Sequence, residues 1–368
     1  MSTAETRTAD ALVVGAGPTG LAMGIELARR GVRCRVIDKA PEPSRTSKAL
    51  AVQARTLEYF DRIGLADAAV AAGLKIHGLN VFSDRKRIVH ISSDAIPSRH
   101  NYILILPQSE TERLLTERLA ALGVAIERNV ELTGFAQDGG GVEAVLRRAD
   151  GGAEERPRVR WLLGCDGPHS TVRHLLTVPF AGLAFEEVFS LADVRLESGL
   201  PDDEVSIFLH RGDILGFFPM AGEKRFRLVI ERHEGAVDPA SEPSIEEFQK
   251  AIDDYGPKGA RASDPVWMSR FRINQRQAAD YRRGNVFLAG DASHIHSPVG
   301  GQGMNTGIQD AANLGWKLAL VASGRGRPEL LDSYQAERHP VGASLLRATG
   351  GFSRVVLWRN PVAEAVRN

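Results

Sequence analysis

Gly15-Ala16-Gly17-Pro18-Thr19-Gly20 is the first stretch whose residue types and spacing could do chemistry. It follows the apolar run Ala11 to Val14 and opens a helix-like stretch to about Arg30. The next apolar run, Cys34 to Ile37, ends at Asp38 and Lys39. In this layout the first glycine makes a tight turn, the second lets backbone approach a pyrophosphate, and the third lets helix pack close to strand. The helix N-terminus offers free N–H groups and positive potential to phosphates. Asp38 stands where a carboxylate accepts hydrogen bonds from a ribose diol, and Lys39 is grouped with it as cofactor-binding. The motif serves FAD and NAD alike, so a second site has to decide between them.

That second site is Val286-Phe287-Leu288-Ala289-Gly290-Asp291, an apolar strand ending in a carboxylate. His294, His296, Pro298 and Gly300-Gly301-Gln302-Gly303-Met304-Asn305 follow before a helix. Ligands of doubly wound sheets bind at such strand ends. Asp291 is placed to hydrogen-bond a polyol such as a ribityl chain, while the glycines let backbone N–H groups reach a flat heterocycle. The next helix start is placed to stabilise negative charge on a reduced flavin. His294 and His296 have metal-like spacing, but no third ligand stands nearby, so local hydrogen bonding and no metal are expected.

Gly164-Cys165-Asp166-Gly167-Pro168-His169-Ser170 also ends an apolar run; taken alone it is a common turn. Arg45, Gln53, Arg55 and Gln108 cluster after the first unit, and each taken singly reads as a solvated side chain.

The elements that must position these residues follow from periodicity. Strand, helix, strand from Asp10 has the length of a βαβ unit and implies a parallel sheet. Val52 to Ile63 and Gln108 to Leu122 read as helices, and Gln302 to Ala322 as a long amphipathic one. Ile76 to Ile91 and Phe185 to Phe271 read as short β-segments separated by turns, with one helix near Ser244 to Asp254. The predicted fold class is α/β: a Rossmann-type dinucleotide-binding domain with an inserted β-sheet substrate domain. Residues 1–75, 103–180 and 275–368 are assigned to the first, with C-terminal helices, and 76–102 and 181–274 to the second.

Composition bounds the partners. The chain has 368 residues, 43% hydrophobic and 25% charged, with 46 basic and 46 acidic side chains. A balance without single-sign blocks gives no reason to expect nucleic acid or an anionic membrane. No apolar stretch approaches the roughly 20 residues that span a bilayer, and residues 1–10 lack the layout of a signal peptide. The two cysteines form no CxxC or ligand pattern, which fits a reducing cytoplasm.

Together these motifs resemble the single-component (class A) FAD-dependent aromatic hydroxylases typified by para-hydroxybenzoate hydroxylase, and within them the phenol and aromatic-polyketide hydroxylases. The resemblance runs from Leu12 to about Asn368, on three ordered fingerprints: Gly15 to Gly20, Asp166-Gly167 and Gly290-Asp291. Ser44-Arg45 and Ala54-Arg55-Thr56-Leu57-Glu58 look like the family's segment beside the flavin. By the same resemblance Gln108 contacts FAD, and Pro298 and the backbone from Gly300 to Asn305, with Gly301, Gly303, Met304 and Asn305, border the isoalloxazine ring; Gln53 is grouped with the cofactor-binding residues. Asp166 is credited with supporting FAD indirectly and helping NAD(P)H to bind.

The resemblance implies a glutathione-reductase-like fold and a monooxygenase working through a C4a-hydroperoxyflavin. NADPH or NADH would be a transient co-substrate, with O2 and a phenolic or polycyclic, polyketide-like aromatic as the other reactants, as in antibiotic biosynthesis. Protein work would consist of alignment, exclusion of water and help in deprotonating the phenol. Many polyketide hydroxylases of this type continue into a thioredoxin-like domain, whereas this sequence stops at Asn360 to Asn368; a short member and a truncated one are both open. A monomer or homodimer is expected. For the substrate wall the sequence offers Phe217, Phe218 and Met220 with Pro298, and His77, His100 and His210 as phenol bases without a spacing argument for any; the catalytic group is left unassigned. The rivals are a flavin-dependent halogenase, whose Trp-x-Trp pattern is missing from Trp161, Trp267, Trp316 and Trp358, an NAD-dependent dehydrogenase, and a non-catalytic flavin-binding protein.

Overall fold

The computed structural model describes residues 9–44, 49–232, 238, 241–297 and 300–357. Its helices are α1 (Pro18–Ala28), α2 (Ala54–Ile63), α3 (Ala66–Ala72), α4 (Gln108–Ala121), α5 (Thr171–Leu175), α6 (Ile245–Tyr255), α7 (Gly303–Ala322) and α8 (Asp332–Leu357).

Ala11–Val14 is apolar throughout and buried at every position, as a central parallel strand must be. It pairs in parallel with Cys34–Asp38 on one side and Trp161–Gly164 on the other. Ile126–Arg128 and Val286–Leu288 extend this sheet in parallel, and Arg282–Arg283 closes one edge in antiparallel. Three strand ends thus deliver Gly15, Cys165-Asp166 and Ala289-Gly290 to one rim. Helices α1 and α7 pack side by side, so closely that a Cβ at Gly315 of α7 would lie 2.4 Å from the Glu26 Cβ of α1. The sequence reads α7 as amphipathic. In the structure α1, α2 and α8 surround it, and more than half of its residues are buried.

The second sheet has eight strands, in the order His294–Ile295, Arg261–Ala278, Phe180–Glu197, Arg225–Arg232, Asp213–Pro219, Glu204–His210, Gly78–Ser83 and Lys86–Ser92. Two of them run for 18 residues, where the sequence suggests short segments. Register shifts between Ala184 and Val188 and between Asp193 and Arg195 break the period of two while the strands continue. His294–Ile295, just beyond the last strand of the parallel sheet, pairs with Arg276 and Gln277 and so joins the two sheets. Helix α6 covers one face, its Phe248 and Ile252 packing with Phe208, Phe217, Leu228 and Ile230 of the sheet. The opposite face meets a small sheet of Ala51–Val52, Leu74–Ile76 and Ile103–Ile105 through Val205, Ile207, Phe218 and Met220. None of the described helices is long and apolar enough to cross a membrane.

Candidate functional site

The two glycine turns at distant points of the sequence touch. Gly15 has φ +101°, and a Cβ there would lie 2.4 Å from the Cys165 carbonyl oxygen. A Cβ on Gly20 would lie 1.9 Å from the Gly15 carbonyl oxygen, so only glycine lets α1 start on top of the turn. Gly17, by contrast, faces open space. Thr19 then meets Gly290 and Gly307: a Cβ on either glycine would lie 2.5 Å or 2.3 Å from Thr19 Oγ1. Pro18 occupies the first turn of α1, and neither α1 nor α7 has a side-chain cap on its first turn. Two helix starts with unsatisfied N–H groups therefore border one Cβ-free cradle.

Around the first turn, Asp38 accepts from the Ala16 amide (2.7 Å) and the Ala40 amide (2.8 Å), with the Arg128 guanidinium 3.6 Å away. Its carboxylate thus fixes the glycine turn. Asp38 and Lys39 line a cleft of about 210 Å³ with Gly15, Gly17, Asp166 and His169. Asp166 points its oxygens inward, accepting from Ser170 Oγ (2.5 Å) and the Val172 amide (3.2 Å), and burial raises its pKa. Sequence reasoning left Arg173 without a role. It donates to the Ala292 carbonyl (3.0 Å) and the Pro168 carbonyl (2.8 Å) and lies over the Phe180 ring, joining the Asp-Gly turn to the Gly-Asp turn.

On the other side Asn305, fully buried, joins two segments some 250 residues apart. Its amide donates to the carbonyls of Ala51 (2.8 Å) and Gly301 (2.7 Å) and accepts from the Gln53 amide (2.9 Å). Gln53 Nε2 in turn donates to the Gly300 carbonyl. Gly301 has φ +63° and packs on Ala51; Gly303 opens α7, with Met304 half-buried against the core. Gln108 accepts from the Ala49 amide (3.3 Å) and donates to Glu112 (2.8 Å). Arg55 departs from the expected set: its side chain is 78% exposed and pairs with Glu58 on the outside of α2. Arg45 and Pro298 lie outside the described residues.

Asp291 sits in the one-turn helix Gly290–Ala292 at the rim, exposed. Behind it Asp310 of α7 is completely buried and accepts three hydrogen bonds: from the Gly290 amide (3.0 Å), His294 Nε2 (2.8 Å) and Arg338 Nε (2.6 Å). Burial pushes this carboxyl up, and His294 and Arg338 outweigh it, holding the group below the usual carboxylate range. Sequence reasoning missed Asp310 and Arg338. The available signal was a lone acid on the apolar face of a helix that opens with a glycine loop. His296 donates through Nδ1 to the Ser297 carbonyl (2.8 Å), so its Nε2 is an acceptor; that atom is buried without a partner. Burial lowers the His296 pKa to about 4. Among the described residues no His, Cys, Asp and Glu group has metal-site geometry.

Three expectations for the substrate wall need correction. Phe217 alternates with Phe218 along its strand, so it belongs to the core beneath α6, edge-on to Phe208, on the far side of the sheet from the cofactor rim. Phe218 and Met220 face the rim side with Ile207 and Ile105. His210 also faces α6, stacked on Tyr255, and His100 is held between Asp61 (2.8 Å) and the Tyr102 hydroxyl (3.1 Å). Neither is a free base; His77 is half-buried beside Tyr102. The unforeseen element is a cross-strand row: Phe218 pairs with Arg227, Arg227 with Asp193 and Asp193 with Trp267. Arg227, 2% exposed, grips Asp193 with two hydrogen bonds of 2.7 and 2.8 Å.

A family model described as an FAD binding domain matches residues 8–349. The chain is 43% identical over 362 residues to 6-methylpretetramide 4-monooxygenase of Streptomyces rimosus, covering 96% of this chain and 63% of that protein. It is 38% identical over 362 residues to pentachlorophenol 4-monooxygenase of Sphingobium chlorophenolicum, covering 95% and 66%. The solved anhydrotetracycline hydroxylase of Streptomyces rimosus superimposes with a TM-score of 0.81 at 36% identity, over 98% of this chain and 71% of that one. The chain therefore spans about two thirds of the length of these relatives.

Proposed function

This chain belongs to the FAD binding domain family of aromatic monooxygenases, and on that premise we propose that it is an FAD-dependent hydroxylase of phenolic or polycyclic aromatic compounds. The observation that carries the reading is the junction of Thr19, Gly290 and Gly307, where the phosphate-type turn and the ring-side helix close on one another. An NAD-dependent dehydrogenase would use only the first of these.

The residues fit the cofactor: Gly17 leaves room at the first helix start, and the second helix starts without a side-chain cap on its amides. Asp38 and Lys39 would hold the ribose and phosphate half, Asp291 the ribityl chain, and the amides from Gly301 to Asn305 the ring edge. With FAD bound, the chemistry supplied there is acceptance of hydride from NAD(P)H and activation of O2 for transfer of one oxygen atom to an electron-rich ring. The protein aligns the aromatic against that edge, excludes water and holds the helix dipole on developing negative charge.

We assign 1–75, 103–180 and 275–368 to cofactor binding, and the strands within 76–102 and 181–274 to the substrate wall, with Phe218 and Met220 facing the ring. The substrates named for the relatives, a pretetramide polyketide and a chlorinated phenol, suggest a ring bearing an acidic hydroxyl. Supply of NAD(P)H suits a cytoplasmic enzyme, monomeric or homodimeric. The test is purified yellow protein screened against phenols and polyketide aromatics, with 18O2 and mass analysis. Substrate-stimulated NAD(P)H oxidation with gain of one labelled oxygen is expected. Oxidation that yields no oxygenated product with any of them would overturn the proposal.

A further inference from the structure

We propose that Asp310, His294 and Arg338 form a positioning device that sets the angle between the Gly-Asp turn and the first turn of α7, and so fixes the two groups that grip the flavin half. This rests on the FAD reading above. Asp310 lies seven residues, about two turns, beyond the start of α7, on the face that also carries Gly307. One of its oxygens accepts from both the Gly290 amide and His294 Nε2, and the other from Arg338 Nε. The Arg338 guanidinium reaches on to the Thr306 carbonyl (3.3 Å), and Tyr334 Oη on the same helix donates to the Leu288 carbonyl (2.8 Å). Helix α8 thereby holds both the end of the cofactor strand and the start of α7.

The backbone explains why a carboxylate is needed at this point. Gly290 adopts φ +62°, with Thr19 packed where a side chain would stand, so sterics require the left-handed turn but do not aim it. A single N–H to a buried, ionised acceptor is directional and strong. It sets the orientation of the peptide leading into Asp291. His294 belongs to the antiparallel bridge with Gln277, so the same carboxylate ties the substrate-side sheet to the cofactor rim. None of the three side chains is assigned a contact with the flavin; they act through Gly290 and α7.

The readout is flavin geometry as well as affinity. Apo-protein would be titrated with FAD by fluorescence quenching, with visible circular dichroism of the bound flavin and thermal unfolding of the apo-form recorded on each variant. Asp310→Asn and His294→Ala should raise the FAD Kd at least tenfold and change the visible dichroism. His294→Gln, which retains a donor toward Asp310, should recover most of both. Should Asp310→Asn fail to fold, the His294→Ala and His294→Gln pair decides. Wild-type Kd and dichroism in folded His294→Ala, or a lowered melting temperature with unchanged flavin properties, would overturn the proposal. Absence of FAD binding by the wild type would instead sink the FAD reading on which it rests.

Discussion

The six-stranded parallel sheet and the eight-stranded sheet offer opposite materials to the space between them. The parallel sheet presents backbone: Gly15, Gly17, Gly290 and the amides at the start of α7, with side chains such as Asp310 and Arg173 working from behind. The larger sheet presents side chains, Phe218, Arg227, Asp193 and Trp267, in one row across four strands. A cofactor common to a family is gripped by groups every residue possesses, made accessible by removing Cβ atoms. On the proposed function, a substrate would be met by groups that substitution can exchange strand by strand.

The contrast breaks most visibly at the ion pair. Asp193→Ala leaves the buried Arg227 without its bidentate partner and should cost about 3 to 5 kcal/mol of stability in urea unfolding. FAD affinity of the folded fraction should stay unchanged, since no residue of the row stands at the glycine junction. Concurrent loss of flavin would show that the two surfaces are one site. Gly20→Ala is the converse case. Its Cβ would enter the Gly15 carbonyl, a backbone atom that cannot rotate away, at a cost of about 3 kcal/mol. The purified variant should be colourless, and flavin content equal to wild type would refute the role of the turn.

A smaller effect sharpens the cofactor side. Asp291→Ala removes only one rim carboxylate, so FAD binding should weaken by roughly 1 to 3 kcal/mol, read as Kd by fluorescence titration. Melting of the apo-form should barely change because the side chain is exposed. An unaltered Kd would place the polyol contact elsewhere.

Legibility in the sequence follows the same division. The glycine turns were readable because a positive φ or a 1.9 Å approach excludes other residues locally, and the buried apolar strands before them are short and continuous. Asp166 was readable as a motif. Its inward hydrogen bonds were not, since nothing in the sequence says which way a turn carboxylate points. Phe217 and Phe218 are chemically identical neighbours, and only the pairing of their strand with Glu204–His210 and Arg225–Arg232 decides which of them faces α6. The hydrogen bonds of Asp310 and the Arg227 pair join residues 16 to 34 apart in sequence, a closure that pattern alone does not encode.

The mildest test uses pH on a residue of the junction between the two sheets. His296 follows the bridging strand, and its imidazole is held neutral by burial, with its pKa lowered from 6.5 to about 4. Between those values the unfolded chain binds a proton that the folded protein refuses, so stability rises with pH across the window. The contribution is complete above about 6.5 and is lost as pH falls toward 4. It should amount to roughly 1 to 3 kcal/mol. Carboxylates titrate in the same range, so the informative quantity is the difference between wild type and His296→Asn in urea unfolding at pH 7 and pH 4.5. The variant should lose less stability on acidification. Parallel curves would mean that the imidazole already exchanges its proton freely in the fold, and that the unpartnered Nε2 is reached by solvent rather than sealed between the two sheets.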